Sequence, residues 1–192
     1  NIFKNVYVPF SPDDSGNAIG AVLWRYKKSI KNATPLLGFK YSNKFISKIL
    51  VNNKIKFQKI DNNMEFHVSK LLFDEKIICW FKGQSEFGQR ALGNRSILAS
   101  PLSINMKDKL NRSIKFREGF RPFAACIIEE EANNYFISEN KIISPYMEKV
   151  FTAKKRTKLI APSIVHFDNS TRLQTINKSN KSMYKLLKNF QK

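Results

Sequence analysis

The chain has 192 residues, is 42% hydrophobic with sixteen Phe, and sets 34 Lys and Arg against 15 Asp and Glu for a formal charge of +19. A core of ordinary size is within reach, in one domain or one domain plus a fragment, and no apolar run approaches the roughly 18 residues of a membrane-spanning helix. Such a charge favours anionic partners: nucleic acid, anionic lipid or phosphorylated substrates. The excess is mostly lysine, scattered with asparagine through every segment. It reads as a compositional bias giving a solvated surface, or else as a surface for RNA. Cys79 and Cys126 both lie in apolar, strand-like runs and read as two buried thiols, which fits a reducing cytoplasm. Asn1-Ile2-Phe3-Lys4 lacks the pattern of a signal peptide. With no initiator Met, the chain is expected to begin partway through a longer protein.

In chain order, Asn5-Val6-Tyr7-Val8 alternates as a short strand. Pro9 to Gly16 is a turn-rich loop, and Asn17 to Lys28 reads as a helix with Asp14 or Ser15 near its start. Gly20 and Ala21 inside that helix suggest close packing. An acidic residue at such a place is usually a cap. Residues 29–63 read as a connector: a polar stretch to Thr34, a compact Pro35-Leu36-Leu37-Gly38, then apolar spacings at Phe45, Ile46, Ile49 and Leu50 that suit a helix. Ile55 and Phe57 suit an edge strand. Met64, Val68, Leu71 and Leu72 have helical spacing, with His67 on the solvent side.

Ile77-Ile78-Cys79-Trp80-Phe81 reads as a buried strand, and Ile97-Leu98-Ala99 as a second. Between them lies Gly83-Gln84-Ser85-Glu86-Phe87-Gly88-Gln89-Arg90-Ala91-Leu92-Gly93-Asn94-Arg95-Ser96. Its glycines permit positive φ or close backbone approach, and its arginines offer planar donor forks that fit phosphate or carboxylate. The pattern suits an anion pocket; it equally suits a tight turn whose arginines point into water. Further on, Met106, Leu110 and Ile114 step by four as a buried stripe, with Asn111 and Arg112 off it. In Lys115-Phe116-Arg117-Glu118-Gly119-Phe120-Arg121-Pro122-Phe123-Ala124, Pro122 forces extended chain at Arg121. By themselves these arginines read as surface partners of Glu118. Ala124 to Ile128 is a buried strand, Glu129 to Phe136 a short acidic helix, and Tyr146 to Ala153 a strand. Pro162 to Asn177 is a further strand candidate and carries His166-Phe167-Asp168-Asn169-Ser170-Thr171-Arg172-Leu173-Gln174-Thr175, in which Arg172 and Gln174 share a face by period two. His166, close to Asp168 and Arg172, is either a satisfied structural residue or a substrate contact. Met183 to Phe190 is an amphipathic helix. The aromatics follow core periodicity rather than a stacking stripe.

Four of these stretches, in order, resemble motifs of the NodU/CmcH-type carbamoyltransferase family. Glu86 to Ser96 resembles E-F-G-P-R-A-L-G-N-R-S, with Gln89 in place of proline. Asn111 to Ala124 resembles N-R-x-x-K-x-R-E-x-F-R-P-F-A. Ser144-Pro145-Tyr146-Met147 resembles S-P-[FY]-M. His166 to Thr175 resembles H-V-D-G-T-A-R-V-Q-T, with Asn169 in place of glycine, a residue that tolerates positive φ better than most. Pro9, Asp14, Gly16, Ala18, Gly20 and Ala21 resemble a further motif, at the end of that family's N-terminal domain.

The resemblance implies a mixed α/β (α+β) architecture: a YrdC-like twisted mixed sheet with flanking helices, preceded by a strand-helix fragment of an actin/Hsp70-like (ASKHA) ATPase domain. Residues 1–28 would be the tail of that domain, 29–63 the connector and start of the next, and 64–192 the carbamoyltransferase C-terminal domain, clipped at its end. It also implies a function: binding of carbamoyl phosphate and ATP, formation of carbamoyl adenylate, and transfer of the carbamoyl group to a hydroxyl-bearing small molecule or sugar. The implied catalytic residues are Arg90, Arg95, Arg121 and His166. The implied binding residues are Lys82, Glu86, Gly88, Asn94, Ser96, Arg117, Asp168 and Arg172. Asp14 is the implied contact of a divalent metal, iron or similar, whose histidine ligands would precede residue 1. The expected setting is cytoplasmic, with no membrane and no nucleic acid, and with a missing N-terminal half or a homo-oligomer as partner. Two alternatives stand beside this: an RNA-binding basic module of the same fold, and an inactive fragment of a split carbamoyltransferase.

Overall fold

The computed structural model describes residues 2–3, 6–29, 34–60 and 62–191. The chain divides into two units, residues 1–62 with 80–96, and residues 63–79 with 97–192. No helix among the described residues is long and apolar enough to cross a membrane.

In the first unit, α1 (Asp14–Tyr26) follows an extended Asp13 and stops at Lys27, whose φ of 48° is left-handed. Ser15 and Ser11 hydroxyls both donate to Asp13 Oδ1 at its entrance, and these bonds, Ser15's first, hold the Asp13 carboxyl below its ordinary value. No residue of α1 is buried. The close packing expected at Gly20 is not there: a Cβ at that glycine would meet nothing within 4 Å. α2 (Asn43–Asn52) is capped by Ser42, whose Oγ accepts from the Phe45 amide at 3.2 Å.

The strands expected near 6–8 and 55–60 do not form. Alternation marks a chain able to lie in a sheet, but a strand also needs a neighbour to take its hydrogen bonds, and the described residues supply none there. Asn5 and residues 30–33 of the stretch read as polar lie outside the described residues. Aromatics expected in a core are exposed here instead. Tyr41, Phe45 and Phe81 are 43%, 47% and 56% exposed, with Tyr41 stacked on Phe45 at 5.4 Å.

β1 (Ile78–Phe81) and β2 (Arg95–Leu98) pair as a two-stranded sheet, so the glycine-arginine loop is held between two strands, as its sequence predicts. Of β1, only Trp80 is buried. Cys79 is exposed, contrary to expectation, because alternate residues of a strand face opposite sides and here only one side is covered.

The second unit is built on a mixed sheet of β3 (Ala125–Ile128), β4 (Phe136–Ile137), β5 (Lys149–Ala153) and β6 (Ser170–Ile176). Their order is β3-β6-β5-β4, with β6 parallel to β3 and antiparallel to β5. β6 is central, so it is buried on both faces: Thr171, Leu173, Gln174 and Thr175 are all at most 3% exposed. Phe136, Ile142 and Leu173 fill the core with Ala125, Ala132 and Ala153. Ser144 ties the chain before β5 to β6, its amide donating to Thr175 Oγ1 and its hydroxyl to the Leu173 carbonyl, each at 2.9 Å.

α3 (Met64–Phe73) and α7 (Lys181–Phe190) pack together, burying Val68 and Leu72 against Met183 and Leu186, with His67 exposed as expected. α4 (Met106–Leu110) runs into a π-helical turn, Asn111–Lys115. This wider turn breaks the predicted stripe. Met106 and Leu110 are buried, but Ile114 is 39% exposed, and Asn111, expected off the stripe, is 0% exposed. A π turn holds about one residue more than an α turn, which carries Ile114 off the face of Met106 and Leu110, while Asn111 is buried with its side chain bonded to the Gly119 and Arg121 carbonyls. The acidic segment is a 3-10 turn, Glu129–Glu131, followed by α5 (Ala132–Tyr135). α6 (Lys155–Ile160) and a 3-10 turn at Pro162–Ile164 have no counterpart in the sequence reading. α6 is lysine-rich, and its one buried residue is Thr157, whose hydroxyl donates to the Tyr135 carbonyl.

Burial pushes the Cys126 thiol up to about 12, whereas Cys79 faces solvent. A thiol reagent at pH 8 should therefore label Cys79 within minutes and Cys126 only on unfolding. Two equally fast thiols, separated with Cys79→Ser, would contradict this burial pattern.

Candidate functional site

The loop between β1 and β2 is organised by one carboxylate. Glu86 Oε1 accepts from the amides of Leu92 at 2.7 Å, Asn94 at 2.8 Å and Arg95 at 3.3 Å. Gly83, Gly88 and Gly93 all have positive φ, 64°, 103° and 103°, as the glycine spacing predicts. At Gly88 a Cβ would also lie 3.2 Å from the Phe10 carbonyl oxygen. The Gly93 amide donates to Ser96 Oγ at 2.9 Å, and the buried Asn94 side chain donates to the Gln84 carbonyl at 2.7 Å. Gln89, at the proline position of the motif, is exposed in a bend.

The two loop arginines differ. Arg95 spreads its terminal nitrogens over four carbonyls: Lys82 and Asn94 from Nη1, Phe39 and Gly83 from Nη2. Its guanidinium also lies 3.6 Å above the Phe81 ring. Arg95, implied as catalytic by the resemblance, is thus built into the loop. Arg90 is half-buried and makes no side-chain hydrogen bond or ion pair with any described residue. Lys82 Nζ stands 5.6 Å from the Trp80 ring centroid. Asp14 opens α1 and is exposed. Among the described residues no three His, Cys, Asp or Glu side chains form a metal-holding group, so these residues do not complete a metal site with Asp14.

In the second unit, the buried Asn111 is a hub that sequence reasoning missed. Its Nδ2 donates to the carbonyls of Gly119 at 3.3 Å and Arg121 at 3.0 Å, and its Oδ1 accepts from Arg117 Nε at 2.8 Å. Arg117 is thereby held 4.7 Å from the Phe123 ring centroid. Arg121 pairs with Glu118 at 3.0 Å on the surface, where such a pair contributes little stability. The signal for Asn111 was present, as the first residue of its motif.

His166 sits at the start of a tight turn into β6. Its amide donates to the Ser170 carbonyl and its Nδ1 lies 3.1 Å from Ser170 Oγ. Asp168 Oδ1 accepts from the Ser170 amide at 2.9 Å, and Ser170 holds that carboxyl below its ordinary value. Asn169 has φ 66°, the left-handed conformation that its glycine-replacing position requires. His166 Nε2 is buried with no hydrogen-bond partner among the described residues. Burial, with smaller contributions from Lys107 and Arg172, holds the imidazole below 6.5 against the pull of Asp168. Asp168, Arg172 and the unforeseen Lys107 all act electrostatically on the His166 ring.

The sequence model described as "Carbamoyltransferase C-terminus" matches residues 69–192. The chain belongs to the carbamoyltransferase family. It is 31% identical, over its whole length, to the nodulation protein NolNO of Sinorhizobium fredii, and covers 30% of that protein. It is 37% identical to nodulation protein U of the same species, over 93% of this chain and 31% of the relative. Against the nodulation protein NolO of Bradyrhizobium diazoefficiens it is 39% identical over 60% of this chain and 22% of the relative. The chain spans about a third of the length of the first relatives it matches.

Two outcomes follow for this member of the family. Glu86→Ala strips an anionic acceptor from three amides and should destabilise the first unit by about 2–4 kcal/mol, with Glu86→Gln losing about half as much. Urea unfolding followed by Trp80 fluorescence in a Trp24→Phe background measures it; unchanged midpoints would remove the clamp. For His166, the folded pKa lies below the unfolded one, so the unfolded chain takes up more protons as pH falls past 6.5. Stability should fall in that window and be indifferent to it above. His166→Gln should flatten the dependence; an unaltered slope in the variant would contradict the burial of the ring.

Proposed function

We propose that this chain is the C-terminal part of an O-carbamoyltransferase that binds carbamoyl phosphate and ATP. Carbamoyl adenylate forms there, and the carbamoyl group then passes to an acceptor hydroxyl on a small molecule or sugar. The observation that carries the reading is Arg90. It lies in the signature loop, half-buried, with no partner for its guanidinium among the described residues, while Glu86, Asn94, Arg95 and Ser96 around it are engaged.

The chemistry suits such residues. Both reactants are polyanions, and carbamoyl transfer onto the α-phosphate needs neutralised charge and alignment rather than a protein nucleophile. Arg90 is assigned a direct anion contact in the first unit. In the second, Lys107 and Arg172 supply positive charge beside His166, and Asn111 presents Arg117. His166, neutral at pH 7, accepts a hydrogen bond or takes a proton at a nitrogen. Glu86, Asn94, Ser96 and Arg95 act as positioning residues that fix the loop on which Arg90 stands. In this reading residues 1–28 end an ATPase-like domain and 64–192 form the transferase domain. Asp14 meets a divalent metal only with ligands from elsewhere in a family-length cytoplasmic protein.

Calorimetry with carbamoyl phosphate tests the reading. Arg90→Ala should bind at least tenfold more weakly, about 1.4 kcal/mol, while its urea midpoint stays within about 0.5 kcal/mol of wild type. Equal affinities for the two proteins would overturn the assignment.

A further inference from the structure

The loop that follows the π-helical turn hangs on Asn111. The Asn111 backbone carbonyl accepts the Phe116 and Arg117 amides. Its Nδ2 donates to the Gly119 and Arg121 carbonyls, and its Oδ1 accepts from Arg117 Nε at 2.8 Å. The loop needs such a hold. Phe116 has a left-handed φ of 48°, an outlier for a bulky side chain, and at 83% exposed it buries little in return. Residues 118–122 are exposed as well. Holding this backbone takes only the carbonyl and the Nδ2 of Asn111. The bond from Arg117 Nε to Oδ1 does something else: it fixes a side chain.

A guanidinium carries its N–H donors in a planar fork. It grips an oxyanion bidentately through the side edge, Nε with Nη2, or through the end, Nη1 with Nη2. In Arg117 the side edge is taken. Nε donates to Asn111, and Nη2 reaches the Pro122 carbonyl at 3.5 Å. The guanidinium carbon lies 4.7 Å from the Phe123 ring centroid, so one face is covered too. The adjacent carboxylate, Glu118, is engaged by Arg121 at 3.0 Å, and Arg117 has no ion pair among the described residues. What remains is the end of the fork. A half-buried cation, held at its side edge and offering two nitrogens at its end, fits a phosphate oxyanion. Fixing a ligand-facing side chain through a bond to its far edge is how a binding geometry is preorganised.

We propose that Asn111 is a positioning residue: by occupying Nε it leaves Arg117 to clasp a phosphate group end-on, through Nη1 and Nη2. That the phosphate belongs to carbamoyl phosphate rests on the function proposed above; the clasp itself does not.

The full 192-residue chain, labelled with nitrogen-15 arginine and titrated with inorganic phosphate, reads the clasp by NMR. The Arg117 Nη1 and Nη2 resonances should shift and separate, while Nε, already bonded, moves little. A shift led by Nε, or none at Arg117, would overturn the proposal. Calorimetry with carbamoyl phosphate then reads Asn111. Arg117→Lys keeps the charge and loses the fork, and should weaken binding at least tenfold. Asn111→Ala should weaken it as much in the wild-type background and less than twofold in the Arg117→Lys background. Equal weakening in both backgrounds would make Asn111 a prop of the fold alone and overturn its role. Should Asn111→Ala be unfolded by circular dichroism, Asn111→Asp takes its place: it keeps an acceptor for Nε, so the end-on pattern of shifts should persist, and a pattern moved to Nε would overturn the proposal. No heat with carbamoyl phosphate beside an intact phosphate clasp would sink the transferase reading and leave this one standing. Equal heats for Arg117→Lys and wild type, with Arg90→Ala weakened, would do the reverse.

Discussion

Glu86 Oε1 accepts three backbone amides from residues 92–95, and the signature loop depends on it. A loop with three positive-φ glycines has little conformational preference of its own, since glycine loses more freedom on folding than any other residue. Something must offset that loss. One charge-assisted acceptor, shared by three donors, gathers the C-terminal arm of the loop around its N-terminal arm. Arg95 then closes the same structure from the other side by donating to carbonyls of residues 39, 82, 83 and 94. Acid and base thus act on the backbone instead of on each other.

The second unit uses the same device with a neutral side chain. Asn111 offers both a donor and an acceptor from a fully buried position, closing the loop at 119–121 and aiming Arg117. The π-helical turn begins at Asn111 itself. The Asp168–Ser170 turn does comparable work for His166, fixing a ring whose Nε2 has no partner among the described residues. In each place polar residues of a family motif hold the backbone.

Much of this was legible in the sequence. The glycines at 83, 88 and 93 announced positive φ, the runs around them announced β1 and β2, and Asn169 announced its left-handed turn. The order of four motifs identified the family. What sequence could not rank was the arginines, because Arg90 and Arg95 carry the same guanidinium and only carbonyl geometry separates them. Helical spacing put Ile114 inside, since a 3.6-residue period cannot foresee a π turn, and left Asn111 outside, since apolar periodicity does not see a polar side chain buried by its hydrogen bonds. Gly20, Phe81 and the alternation at 55–60 read as contacts because they mark surfaces able to pack. Whether a partner surface is present is a property of the neighbour, not of the segment itself. α6 was missed because its lysines leave no apolar period to read.

The most direct test of the loop's organisation is an NMR comparison of wild type with Glu86→Gln, reading the backbone amide protons of Leu92, Asn94 and Arg95. A carboxylate shared by all three predicts that the three resonances shift upfield together, as a charge-assisted acceptor is exchanged for a neutral one, while the amide of Ser85 moves little. Independent shifts, or none larger than those elsewhere in the loop, would contradict it.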